Sequence, residues 1–164
     1  MLSKKILILL NRQVNHEISN SMLYRQLSSN ANLNGFLGTE EYCRRQAEDE
    51  LKHYNIVMDY ITDRNYPFKI ENPKNPEVED IKTLMEIFQA ALTRELETTK
   101  MLKEIQQQAI EDDDSLTGEW LIYLTGEQRS EEKNCYDIIS LLKVASDNPS
   151  ALLFADDKIR NWEN

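Results

Sequence analysis

The sequence predicts an all-α fold, a four-helix bundle with one long crossover and a short fifth helix at the C-terminal end. Three observations lead to this prediction. Only four glycines and four prolines occur among 164 residues, which leaves little material for the turns of a β-fold. Apolar residues recur at alternating three- and four-residue spacing along four long segments, as on the buried face of a helix. Three of the four prolines fall within residues 65–80, where this periodicity is lost.

The first two predicted helices are separated by a short break. The first runs from about Ser3 to about Leu33, and the second from about Thr39 to about Arg64. Residues 34–38 between them contain two glycines, which favour a turn. Thr39 is the expected N-cap of the second helix, because its hydroxyl can accept a hydrogen bond from an amide of the first turn.

Residues 65–80 form the predicted crossover. About sixteen extended residues can reach about 50 Å. A helix of about 27 residues is shorter than this, because it rises only about 1.5 Å per residue. The third helix can therefore lie parallel to the second.

The third predicted helix runs from about Asp80 to Glu111 and has the most regular apolar seam in the chain. Residues 112–115, three aspartates and a serine, form the next turn. The fourth helix then continues to about Ala145. The four helices together make a bundle over residues 3–145.

A short amphipathic segment at about residues 150–162 follows a proline break. It is too short to be stable as an isolated helix. We therefore expect its apolar side chains to pack on the bundle or on another subunit. With this segment included, residues 1–164 are predicted to form a single domain.

The charge and cysteine content limit the function. The 29 acidic and 19 basic residues give a formal net charge of −10, which argues against nucleic acid or an anionic membrane as a partner. The apolar run near the N-terminus is too short for a signal peptide, and no segment could cross a bilayer. Cys43 and Cys135 lack metal-site spacing and are expected to be buried free thiols. These features predict a cytoplasmic protein.

One carboxylate interrupts the apolar seam of each long helix near the middle of that helix. Burying a lone carboxylate costs several kcal/mol, unless it is paired or binds a metal. Four carboxylates at matching depth therefore indicate a shared cation site, although each one alone could simply face solvent. The four residues are Glu17, Glu50, Glu95 and Glu131.

The second helix also carries the motif Glu50-x-x-His53. Residues three apart on a helix project from one face, so this carboxylate and this imidazole can bind one ion together. Carboxylate oxygens with one imidazole suit a pair of iron ions better than magnesium or calcium. The alternative is a glutamate and a histidine that face solvent on a charged helix.

With these residues in place, the chain resembles the bacterial-type non-haem ferritins over essentially its whole length. No single motif is specific, but their order and spacing together are. The carriers are Asn15-His16-Glu17, Ser21-Met22-Leu23-Tyr24, Arg44-Arg45 with Glu50-Leu51-Lys52-His53, Arg94-Glu95, and Glu127-Gln128-x-x-Glu131-Glu132-Lys133.

The resemblance implies a ferroxidase centre with two iron ions per subunit. Glu17, Glu50 and His53 would hold the first ion. Glu50 would bridge to the second, which Glu95 and either Gln128 or Glu131 would complete. Tyr24 would be a nearby hydrogen-bonding or redox residue, although a tyrosine on the seam is as often plain core. The implied assembly is a hollow shell of twenty-four copies.

Two departures separate the chain from other members of the resembled group. Gln128-x-x-Glu131 stands where bacterioferritins repeat Glu-x-x-His on the fourth helix, and fewer imidazoles favour a site that does not retain iron permanently. Leu51 stands where haem-binding bacterioferritins carry a methionine, so no haem is expected.

A third iron site, which the resemblance also implies, is expected to be weak. Asp49 stands where relatives have a longer glutamate, and Ser130 stands in place of an acid. Glu127 remains, and Glu131 could be shared with the second iron. The alternative is that Asp49 and Glu127 are solvated acids of the inner surface.

The function implied by the resemblance is iron storage. Ferrous iron would be oxidised with dioxygen or peroxide, and the ferric product would be deposited in the shell. A di-iron oxidase or peroxidase that stores no mineral is one alternative. A metal-free helical interaction protein is the other.

Overall fold

The computed structural model describes residues 1–73, 76–78 and 80–163. Five α-helices make up the fold, and the all-α prediction is confirmed. Their bounds are α1, Lys4–Leu33; α2, Leu37–Asp63; α3, Leu84–Glu111; α4, Ser115–Ala145; and α5, Pro149–Arg160.

At four of the five helix N-termini, the side chain of the N-cap residue itself accepts a hydrogen bond from the first turn. Ser3 accepts a hydrogen bond from the amide of Ile6 at the start of α1. Thr83 and Glu86 form a capping box on α3, which therefore begins at Leu84 rather than near Asp80. The side chains of Asp114 and Asn148 likewise accept hydrogen bonds from the first-turn amides of α4 and α5.

The prediction that Thr39 caps α2 is wrong. The helix begins two residues earlier, at Leu37, and no side chain in its own first turn caps it. Instead the carboxylate of Asp156 in α5 accepts hydrogen bonds from the amides of Gly38 and Thr39 at 2.8 Å each and from the Thr39 hydroxyl at 2.7 Å. Thr39 is therefore not the capping residue. It is buried and donates to the carboxylate of Asp156, which caps α2 from the last helix.

Contacts at the helix ends establish the order of the bundle. Arg64, just beyond α2, pairs with Asp114, just beyond α3, at 3.1 Å. At the same end of the bundle, the Ser3 hydroxyl donates to Asp112. Because α2 and α3 end at the same end of the bundle, they run parallel, as the crossover length predicted.

The crossover is attached along α1. The Asn11 side chain accepts from the amide of Lys69 at 2.6 Å, and the Asn15 side chain accepts from the amide of Glu71 at 2.7 Å. Asn15 also donates to the Lys69 carbonyl at 2.8 Å. Of the predicted crossover, residues 74, 75 and 79 lie outside the described residues.

Two apolar clusters fill the bundle, one towards each end. The first includes Leu27, Phe88 and Ile138, and the second includes Leu10 and Val57. Between them, at mid-length, lies a layer of buried polar side chains. The packing therefore separates the core into two apolar halves around a polar centre.

Three large side chains at the edge of the second cluster are only partly buried, although the apolar spacing of their helices predicts burial. They are Leu7, Tyr54 and Trp120. Cys43 and Cys135 are buried and free, as predicted. Within the described residues, no helix is long and apolar enough to cross a membrane.

The last helix, α5, packs on its own bundle. Ile159 is buried in the first apolar cluster, and Leu152 and Trp162 pack against that cluster. A Cβ atom on Gly38 would lie 2.0 Å from the Asp156 carbonyl oxygen, so only glycine allows this approach of α5 to α2. Leu153 and Phe154 remain exposed.

We predict that Asp156→Ala lowers the free energy of unfolding by about 2–4 kcal/mol, because two buried amides and a hydroxyl lose a charged acceptor. Denaturant unfolding measures this change. Asp157→Ala is the matched control, since the Asp157 side chain is 72% exposed. Equal stability of the two variants would contradict the capping role of Asp156.

Candidate metal centre

The polar layer at mid-length of the bundle contains one carboxylate from each long helix. The four side chains come from α1, α2, α3 and α4, and each is almost fully buried. The exposed fractions are 2% for Glu17, 3% for Glu50, 1% for Glu95 and 6% for Glu131. The helical spacing that predicted them on the buried seams is therefore correct for all four.

Glu17, Glu50 and His53 form a group that could bind a metal ion. One ligand atom from each lies within 4.8 Å of the other two. On α2, one turn brings His53 Nδ1 to 3.6 Å from Glu50 Oε2. The predicted common helix face of Glu50 and His53 agrees with this geometry, while the role of all three residues as iron ligands stays a prediction.

Glu95, the α3 member of the layer, is held by two donors. The Tyr24 hydroxyl donates to Glu95 Oε1 at 2.5 Å. The Gln128 side-chain amide donates to Glu95 Oε2 at 2.8 Å and to the Glu95 backbone carbonyl at 3.0 Å. Tyr24 and Gln128 therefore both contact the predicted second-ion ligand Glu95.

Glu131 completes the layer from α4. Its Oε1 atom lies 3.9 Å from His53 Nε2, so it faces the same imidazole as the first group. Within the described part of the chain, Glu131 Oε2 and Glu17 Oε2 are buried and accept no hydrogen bond. Buried carboxylate oxygens without donors are costly, and a bound cation would satisfy them. The residues present therefore fit a hard metal cation such as iron.

Burial and crowding raise the pKa of every carboxyl in the layer. Burial is the main cause for Glu17 and Glu50, and the facing carboxylates add to it. Burial, followed by the charge of Glu95, raises the pKa of Glu131 to about 8. Burial also raises the pKa of Glu95, although the hydrogen bonds from Tyr24 and Gln128 oppose this. Metal-free, the layer retains protons that a cation would displace.

The pKa of His53 is also raised, but for another reason. Burial opposes protonation of the His53 ring, but the carboxylates of Glu131, Glu17 and Glu127 outweigh burial and raise its pKa. The imidazole and the carboxyls thus compete for protons in the metal-free protein.

A cavity of about 450 Å³ opens beside His53, between α2 and α4. Glu127 lies at its wall, with Oε2 at 3.1 Å from His53 Nε2. Asp49 also lines the cavity, and its carboxylate pairs with Lys52 at 2.6 Å. The residues predicted for a third iron site are therefore close to the layer, but Asp49 and Glu127 are each already engaged.

Three polar residues around the layer were not predicted from the sequence. The Gln13 side chain donates to Glu17 Oε1, and its position four residues before Glu17 on the same helix face could have indicated this contact. Asn20 hydrogen-bonds Glu50. The Tyr123 hydroxyl donates to Glu127 Oε1 at 2.6 Å, and its i, i+4 spacing was the available signal.

Comparison with known proteins agrees with this architecture. The family model described as the ferritin-like domain matches residues 8–145. The chain belongs to the ferritin family. It is 31% identical to the bacterial non-haem ferritin of Escherichia coli, over 97% of this chain and 96% of the relative. A Staphylococcus aureus protein of the same name is 27% identical over 97% of this chain and 95% of its own length.

Solved structures of ferritins share the fold. An open-pore ferritin from the hyperthermophilic archaeon Archaeoglobus fulgidus superposes with a TM-score of 0.95 at 27% identity and covers 99% of both chains. A structure titled humanized archaeal ferritin gives a TM-score of 0.94 at 28% identity, over 99% of this chain and 98% of that one. The resemblance to bacterial non-haem ferritins inferred from the sequence is confirmed.

We predict that the free energy of unfolding of the metal-free protein falls as pH rises from about 4.5, the ordinary glutamate value, to about 8. With raised pKa values, the folded protein binds more protons than the unfolded chain in this window, and the raised pKa of His53 acts in the same direction. Each pKa unit corresponds to about 1.4 kcal/mol.

Denaturant unfolding of the metal-free protein at several pH values tests this prediction. Glu131→Gln should reduce the fall of the free energy of unfolding with pH. Glu48→Gln should leave it unchanged, because the Glu48 side chain is 60% exposed. A metal-free protein whose stability rises over this range would contradict the prediction.

Proposed function

We propose that this protein is an iron-storage ferritin, which oxidises ferrous iron within the polar layer and deposits the ferric product inside a hollow shell. The main support is the layer itself. Four buried carboxylates and one buried imidazole converge between two apolar clusters, and two of the carboxylate oxygens receive no hydrogen bond from the described residues. Such a set of donors suits hard, multiply charged iron ions.

In this proposal Glu17, Glu50 and His53 hold the first ferrous ion. Glu50 bridges to a second ion, held by Glu95 and by Glu131 or Gln128. Dioxygen or peroxide accepts the electrons that the two ions lose. The carboxylates stabilise the higher ferric charge, because they are anionic ligands in a site of low dielectric.

The surrounding side chains keep this geometry before iron arrives. Tyr24 and Gln128 each hold one oxygen of Glu95, while Gln13 holds one oxygen of Glu17. The proposed role of Tyr24 is to fix Glu95, and it could also donate an electron. Protons held by Glu17 and Glu50 leave when iron binds, since a cation favours the ionised carboxylates.

The shell of twenty-four copies is part of the proposal. It rests on family membership and on exposed apolar side chains of α5, Leu153 and Phe154, which a neighbouring subunit would cover. We also propose that residues 1–164 act as one domain, because Asp156 ties α5 to α2. The two buried free thiols support a reducing, cytoplasmic location.

Iron loading followed by particle sizing tests the proposal against its alternatives. Twenty-four subunits of 19.2 kDa make a shell of about half a megadalton, which should gain an electron-dense iron core. A di-iron oxidase or peroxidase would oxidise iron without a core. A metal-free interaction protein would do neither.

We predict that Glu50→Gln lowers the rate of rapid ferrous iron oxidation more than about 100-fold, since loss of even an indirect partner of a metal ligand costs about 10–100-fold. His53→Ala should also abolish the rapid phase. Stopped-flow absorbance measures the rate.

Glu48→Gln is the matched control, because Glu48 lies on the same helix but faces solvent. Particle size should be unchanged in all three variants. Oxidation at the wild-type rate in Glu50→Gln would refute the bridging role.

We predict that the third iron site is weak. Asp49 is paired with Lys52, Glu127 is hydrogen-bonded to His53, and Ser130 supplies no charge. Anaerobic calorimetry with ferrous iron should therefore give two tight ions per subunit, and Ser130→Glu should raise this number towards three. Three tight ions in the wild-type protein would contradict a weak site.

A further inference from the structure

We propose that Tyr123 and Glu127 are positioning residues, which orient His53 towards the dinuclear site through a hydrogen-bonded chain. This inference rests on the proposed iron site and adds two residues of α4 to it. It also gives Glu127 a role that differs from ligation of a third ion.

The chain begins at the imidazole. Glu127 Oε2 lies 3.1 Å from His53 Nε2, and a carboxylate oxygen accepts a hydrogen bond, so Nε2 carries the hydrogen. In the neutral imidazole, which is the form that binds an ion, the other ring nitrogen, Nδ1, then has a free lone pair. It lies 3.6 Å from Glu50 Oε2, on the side of the ring where the metal ligands converge. The contact with Glu127 therefore selects the tautomer that can bind an ion.

Tyr123 extends this chain towards the cavity. Its hydroxyl donates to Glu127 Oε1 at 2.6 Å, so both oxygens of Glu127 are engaged. Tyr123 and Glu127 lie one turn apart on α4, where side chains four residues apart meet. The Tyr123 side chain is 57% exposed, so its ring contributes little to the core. Its hydrogen bond restrains a partly exposed carboxylate that would otherwise sample several rotamers.

Glu127 has two competing roles in this arrangement, the hydrogen bond with His53 and the binding of an ion at the cavity wall. An ion that binds at the cavity wall through Glu127 draws the carboxylate away from His53 Nε2. The first ion then loses the group that orients its imidazole ligand. By linkage, occupancy of the wall site and of the dinuclear site should each weaken the other by the same factor. Tyr123 favours the His53-bound position.

Co(II) titration of the assembled protein tests the inference, with calorimetry for affinity and visible absorbance for the ligand set. Partners of this kind typically contribute 10–100-fold to metal affinity. We expect Glu127→Ala to weaken Co(II) binding at the dinuclear site by about that factor and to change the absorption band. Glu127→Gln, which keeps an acceptor oxygen, should recover part of the loss.

Tyr123→Phe removes only the hydroxyl and no charge. We expect it to weaken Co(II) binding by about 3–10-fold, a fraction of the effect of losing Glu127 itself. In a Glu127→Ala background the same change should have no effect, because its partner is gone. Tyr136→Phe, an exposed tyrosine of the same helix, is the matched control and should bind Co(II) like the wild-type protein.

The outcomes are distinct. Wild-type affinity in Tyr123→Phe or in Glu127→Ala would overturn this inference and leave the proposed function intact. So would equal effects of Tyr123→Phe with and without Glu127. A wild-type protein that binds no Co(II) through His53 would overturn the proposed function and this inference together.

Discussion

The cost of burying four carboxylates in one layer governs the rest of this structure. Isolated ionised carboxylates are strongly disfavoured in a core, and mutual repulsion adds to that cost. All four side chains are nonetheless almost completely buried, so they are shielded from water. They are Glu17, Glu50, Glu95 and Glu131. The metal-free fold tolerates this by keeping protons on the carboxyls, which their raised pKa values express. In the proposed centre, bound cations would offset the same repulsion between the ionised carboxylates.

The scaffold must be stable without help from its centre. Two separate apolar clusters, one on each side of the polar layer, provide this stability. The crossover, bound along α1 by Asn11 and Asn15, and the α5 cap on α2 add restraints from outside the bundle. Because none of these contacts uses a side chain of the layer, ligand positions can be held while protons and ions exchange. The fold thus separates the groups that stabilise it from the groups that do chemistry.

Helical periodicity was sufficient to predict the bundle and the burial of all four carboxylates. These features depend on spacing within single helices, which the sequence displays directly, whereas the parallel course of α2 and α3 was inferred from the length of the crossover. The start of α2 was predicted wrongly, because its cap comes from Asp156, a residue 117 positions beyond Thr39. The contact of Glu127 with His53 was missed for a similar reason. It joins two helices, and local spacing carries no information about which acids on α4 face α2.

The composition of the layer bears on how long iron stays there. The only imidazole in the group is that of His53, which lies with Glu17 and Glu50 and also faces Glu131, whereas Glu95 is contacted by the neutral amide of Gln128. Imidazole suits iron, whereas carboxylate and carbonyl oxygens alone also suit ions such as magnesium, calcium and manganese. Glu95 moreover accepts hydrogen bonds from Tyr24 and Gln128, which an incoming ion has to displace or share. In the proposed centre the position at Glu95 would therefore be the weaker of the two. An asymmetric pair of ions of this kind would suit the proposed storage role, because ferrous iron could be oxidised there and the ferric product passed on from the weaker side.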